Sequence, residues 1–268
     1  MESKEPDFKY YNLPDSVQRI NLGPESPYPE ESKVYLEQES GQLSVEFYPN
    51  ELPQTIASNQ EKTWILIADG KGVVNYRNLS IEINNTPAVF YLEENQEALI
   101  EGNFNAWIIK LKEASPTPNL PSGHNSITYK VFSPEDLKGE IDPSVVQDFS
   151  QGKGEIIRWV MGQWNSKSPI NIAFEGGGLG SIGNKMHKEP QVAEIYLVNQ
   201  GRCVFRCLDD EDDQFKFPCR NGDVVNIKPG IFCQMSRYSG DYKGFTLKWA
   251  REPGRVIDPK AKVYYEQG

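Results

Sequence analysis

Two stretches of this chain read alike. "TWILIADGKGVVNYRN" from Thr63 and "EIYLVNQGRCVFRCLD" from Glu194 set Gly70 against Gly201 at an offset of 131 residues. In each, a strand-like apolar run ends at a glycine turn and strand-like text resumes beyond it, the pattern of paired strands. Farther on, "AVFYLEEN" and "AWIIKL" resemble "VVNIKPG" and "FTLKWA". A repeat this long, made of short strands, means two copies of one β domain. The expected fold is all-β: two tandem barrels, with short helices in the connections.

The boundaries follow from composition. Residues 1–32 are polar and proline-containing, an N-terminal arm. Residues 33–115 carry the first barrel. A linker over 116–153 opens on Pro- and Ser-rich text and holds two short helical candidates, "FSPEDLKGE" and "DPSVVQDFSQ", with Ser or Asp at plausible caps. Residues 154–268 form the second barrel. His124 lies in the linker and is assigned no role.

Charge narrows the partners. At a net charge of −10 the chain is a poor match for nucleic acid or an anionic membrane, which rely on Lys and Arg contacts. No stretch approaches the ~18 apolar residues of a membrane helix. The opening "MESKEPDFKYYNLPDS" has no apolar segment after its charges, so the cytoplasm is the expected compartment. There Cys203, Cys207, Cys219 and Cys233 should be reduced and act as small buried hydrophobes. Their spacing lacks the tight pairs of a four-thiolate zinc site.

One segment calls for chemistry. "HKEPQVAEIYLVNQG", His187 to Gly201, brings a histidine and two glutamates to an apolar strand. Strand parity places His187, Glu189 and Gln191 on one face, Glu194, Tyr196 and Val198 on a second, and Cys233, Met235 and Arg237 on a third. If all three faces point inward, a divalent metal (Fe, Mn, Ni or Zn) would find ligands in His187, Glu189 and Glu194, with Cys233 as a further thiolate. Without a metal, the same carboxylates suit acid–base work, since burial and mutual repulsion raise a carboxyl pKa. Glu194 or Glu189 would then be the base, Tyr196 the acid, and His187 a ligand or proton carrier. Arg237 would balance charge or hold an anionic substrate, beside Gln191 and Met235. The bland alternative is a solvated Glu189 next to Lys188 and Pro190.

Other signals are weaker. Gly178, Gly180 and Gly183 spell G-x-G-x-x-G, but "NKMHKEPQ" follows in place of a helix. A dinucleotide fingerprint needs that helix, so no nucleotide cofactor is expected. The acidic run Asp209 to Asp213 reads as a hairpin tip.

The second half resembles the cupin superfamily. Its first motif is approximated by His187, Glu189, Glu194 and Gly201, with Glu189 in place of the second histidine and Gly180 one place early. Its second is approximated by Gly222, Pro229 and Gly230, with Cys233 where the last histidine belongs and Arg237 at the asparagine. The whole chain then looks like a bicupin, two jelly rolls in tandem. Shifting the ligand positions back by 131 lands on Ile56, Ser58 and Thr63, so the first barrel is expected to lack a site. The resemblance implies a small polar substrate, a sugar or natural-product intermediate, isomerised, dehydrated or cyclised by proton transfer with or without a metal. It leaves two alternatives, a non-catalytic binding bicupin and a metal-dependent dioxygenase, and it makes a homodimer the expected assembly.

Overall fold

A computed structural model of the chain describes residues 13–24, 33–113, 127–137, 155–163, 165–177, 186–208, 214–237, 241–253, 255, 257 and 263–264. Every regular element among them is a β-strand. The first is β1 (Val17–Asn21). The N-terminal barrel follows as β2 (Lys33–Gln38), β3 (Gly41–Tyr48), β4 (Thr55–Ala57), β5 (Lys62–Tyr76), β6 (Leu79–Asn84), β7 (Ala88–Leu92), β8 (Glu97–Glu113) and β9 (Tyr129–Val131). The remainder comprises β10 (Glu155–Met161), β11 (Ile170–Gly177), β12 (His187–Lys188), β13 (Val192–Gln200), β14 (Arg202–Leu208), β15 (Gln214–Arg220), β16 (Asp223–Ile227), β17 (Cys233–Arg237), β18 (Lys243–Ala250) and β19 (Val263–Tyr264).

The N-terminal strands make one antiparallel sheet in the order β2-β3-β8-β5-β7-β9, with β4 on β8 and β6 on β5. Its two longest strands, β5 and β8, pair along nearly their whole length and shift register between Ile67 and Asp69. A bulge there bends the pair. Ile65 and Ile67 before the bend and Val74 and Tyr76 after it belong to one apolar cluster, so the sheet folds back over its own apolar face.

Two sheets build the C-terminal barrel, β1-β16-β13-β18-β11-β10 and β15-β14-β17-β12-β19. Between them lie Tyr196, Val198, Phe205, Phe217, Val225 and Met235. The other face of the six-stranded sheet packs on the N-terminal barrel: Ile195, Leu197, Phe245 and Leu247 share a cluster with Val45, Leu66, Trp107 and Ile109. That wall is therefore apolar on both sides, except where β11, β13 and β18 turn charged residues inward.

The arm contributes a strand to the far barrel. β1 pairs antiparallel with β16, Val17 opposite Ile227 and Asn21 opposite Asp223. Arg19 Nε and Asn21 Nδ2 donate to the buried Asp223 carboxylate at 3.0 and 2.7 Å. Burial raises the Asp223 carboxyl above its ordinary range, against the opposing pull of Arg19. Just beyond, Gly23 crosses Gly222, whose φ is +82° and whose added Cβ would lie 2.3 Å from Gly23 Cα. Gly222→Val should lift β1 from β16 and cost about 1–3 kcal/mol. Hydrogen exchange should show β1 and β16 amides losing protection before the others, and unchanged protection would contradict this.

The helical expectation in the linker needs correction. Over its described part, "FSPEDLKGE" is a turn at Pro134–Leu137, not a helix. Ser133 Oγ donates to Asp136 Oδ2 at 2.7 Å and accepts from Asp136 N at 3.3 Å, so the capping signal is real but closes one turn only. The second candidate, residues 142–151, lies outside the described residues, as do Gly178, Gly180, Gly183 and the run 209–213.

Candidate active site in the C-terminal barrel

β13 is buried on both faces, which lets alternate residues do different work. Ala193, Ile195 and Leu197 face the apolar wall, and Glu194, Tyr196 and Val198 turn into the barrel. β12 brings His187 beside β17, paired with Cys233. Glu189 lies just past β12, its carbonyl accepting from Gly230 N at 2.9 Å. His187, Glu189 and Glu194 are 2%, 3% and 4% exposed. One ligand atom of each lies within 4.8 Å of the others, a donor set able to hold a metal ion.

A fourth group joins them. Lys248 stands directly opposite Glu194 in the β13–β18 register. Its ammonium is ion-paired and hydrogen-bonded to Glu189 Oε1 and lies 3.9 Å from Glu194 Oε1. The same Glu194 oxygen is 3.6 Å from His187 Nε2. The Lys248 ammonium is also 5.1 Å from the ring centroid of Trp159, whose side chain on the edge strand β10 is nearly half exposed. The cluster therefore approaches solvent beside Trp159.

A second polar group lies in the same interior. Arg237 Nη2 donates to Glu175 Oε2 at 2.7 Å, and Thr246 Oγ1 donates to Glu175 Oε1. The Arg237 guanidinium is 5.1 Å from the Tyr242 ring centroid, and Tyr242 donates to Met235 Sδ at 3.6 Å. Burial, then the charge of Glu194, Glu175 and Glu189, holds the Tyr196 phenol well above its usual pKa. Tyr196 is thus a neutral hydrogen-bond donor at any ordinary pH.

No family model and no curated relative matches the chain. Solved structures do. A two-residue deletion mutant of the Bacillus subtilis oxalate decarboxylase superposes with a TM-score of 0.54 at 10% identity, over 94% of this chain and 81% of its own. The formate complex of the Lactobacillus farciminis oxalate decarboxylase gives 0.52 at 13%, over 92% and 88%. Procruciferin, an 11S globulin from Brassica napus, gives 0.57 at 8%, over 92% and 87%. The fold is that of a bicupin. Identities this low carry the architecture and none of the chemistry.

Within this fold, the sequence motif brings together His187, Glu189 and Glu194, with Tyr196 on the same face as Glu194. Other expectations change. Cys233 is no thiolate ligand, because it is disulfide-bonded to Cys207, which faces it across β14 and β17 with the Cα atoms 4.1 Å apart. Cys203 and Cys219 are buried and free, as small hydrophobes would be. Arg237 is engaged with Glu175, a carboxylate the sequence reading passed over, and Met235 packs beside it under Tyr242. Gln191 is half-buried in the bend before β13, where its carbonyl accepts from Arg251 N at 3.1 Å.

The two barrels differ at one decisive pair. Thr63 faces Lys110 across β5 and β8 as Glu194 faces Lys248 across β13 and β18. Ile56, Ser58 and Thr63 are buried in the first barrel. They offer no carboxylate or imidazole to a metal or a proton. The lysine recurs, and the carboxylate does not.

In donor type, an imidazole and two carboxylates fit a divalent ion. In charge the match is poorer, because the Lys248 ammonium already holds the Glu189 carboxylate and stands close to Glu194. The interior also holds Glu175 and Arg237, so three carboxyl groups share it with one ammonium and one guanidinium.

Proposed function

We propose that the C-terminal barrel is an enzyme site that isomerises, dehydrates or cyclises a small polar molecule, a sugar or natural-product intermediate, by proton transfer. The observation that supports this most strongly is the buried contact of Glu194 Oε1 with both His187 Nε2, at 3.6 Å, and the Lys248 ammonium, at 3.9 Å. Glu194 takes the proton, and His187 beside it relays or returns it. Tyr196, kept neutral by burial, donates to an oxygen of the substrate. Lys248, oriented by Glu189, stabilises negative charge developing on that oxygen. Trp159 offers an apolar surface where the site meets solvent.

Two other readings have an observation behind them. The His187, Glu189 and Glu194 donor set favours a metal-assisted reaction. Glu189 and the disulfide-bonded Cys233, standing where the resembled motifs carry histidines, favour a binding module without chemistry. A proton-transfer enzyme has a distinctive signature. Molecules that raise the melting temperature are incubated with the protein in deuterated water, and NMR follows deuterium entering a carbon–hydrogen bond. Glu194→Gln is expected to slow that exchange by about 10²–10⁴-fold with ligand binding retained. Ligands that bind with no exchange and no metal-dependent conversion would leave only the binding module standing.

A further inference from the structure

We infer that the Lys248 ammonium and a divalent metal are rival occupants of the carboxylates of Glu189 and Glu194, and that in the native chain the lysine holds them. Lys248 is thereby a built-in cation in a barrel whose donor residues are otherwise those of a metal centre.

The argument is one of placement and charge. Backbone register sets Lys248 opposite Glu194 on adjacent strands, so its side chain emerges into the site however the surface loops are arranged. It is 93% buried, in ion-paired contact with Glu189, and its Nζ lies 3.9 Å from Glu194. A buried lysine is stable when paired and costly when not. An ion drawing on the same two carboxylates would strip Lys248 of its partner and face its ammonium as a like charge inside the barrel. Removing that ammonium reverses the balance. It leaves two buried carboxylates beside an imidazole, and a divalent cation is the natural replacement. This inference stands apart from the catalytic reading, since it concerns which cation the site holds and not what the site does.

The test uses full-length protein stripped with chelator and then exposed to Mn²⁺ or Co²⁺. Bound metal is quantified after gel filtration, and Co²⁺ coordination is read from its visible absorption. The native chain is expected to retain almost no metal and to show no rise in melting temperature. Lys248→Met, which keeps the length and drops the charge, should take up about one equivalent and bind Co²⁺ about 100-fold tighter than the native chain. Lys248→Arg should behave like the native chain, and Lys248→Met with Glu194→Gln should lose the gain. If Lys248→Met is unfolded without metal, its folding should be rescued by Co²⁺, and failure of that rescue overturns the inference. One tightly held equivalent on the native chain also overturns it, as does a folded Lys248→Met that binds no better than native. None of these readouts depends on turnover, so a failed search for substrate leaves the result intact.

Discussion

Glu175→Ala should lower the unfolding free energy by about 3–5 kcal/mol, the range for breaking a buried ion pair from one side. The loss comes from what remains. Arg237 is 1% exposed and its guanidinium donates to Glu175 Oε2 at 2.7 Å, so the truncated protein would keep a positive charge in the barrel without this counter-charge. Thr246 Oγ1 would lose its acceptor as well. Arg237→Met combined with Glu175→Leu should be far milder than either truncation alone, because replacing both partners removes the desolvation cost with the attraction. Urea unfolding of Glu175→Leu, Arg237→Met and the double variant closes the cycle. A double variant as damaged as the sum of the singles would show that the pair is not the unit of stability here.

Trp107→Ala is expected to cost a similar 3–5 kcal/mol, for a different reason. The indole is fully buried where the barrels meet, with its ring centroid 4.3 Å from that of Phe47. Its Nε1 donates to Asn199 Oδ1 on β13 at 2.9 Å, and Asn199 Nδ2 donates in turn to Asn105 Oδ1 at 3.1 Å. Truncation therefore opens a cavity and strands a buried amide at a joint that both barrels share. Native-state hydrogen exchange should report weakened protection in β3 and β13 together. Loss confined to the N-terminal barrel would mean that the barrels melt separately and that their contact contributes little.

Much of the site was readable from the residues alone. A motif spacing and strand parity sufficed to set His187, Glu189 and Glu194 on converging faces, because inward and outward positions alternate rigidly along a strand. Lys248 was not readable. Its position opposite Glu194 depends on which strands become neighbours, and β13 and β18 are separated by four intervening strands in the chain. The Cys207–Cys233 bond was missed for the same reason, since only the β14–β17 register sets the two cysteines face to face. Glu175 was hidden in "INIAFEGG", where a single acid before two glycines reads as the end of a strand. β1 was lost in a polar arm, because a short edge strand carries almost no periodic signal and its partner Asp223 is 204 residues from Arg19.

That early strand has a consequence for how the molecule is made. Its docking edge, β16, does not exist until residue 227 has been synthesised, roughly 10–40 seconds after β1 itself at ordinary elongation rates. Until then Val17 and the Arg19 guanidinium must wait in solvent while the first barrel closes behind them. Assembly on the ribosome is thus a loop drawn shut at the last moment, and a chain stalled short of β16 would carry an unclaimed sticky end.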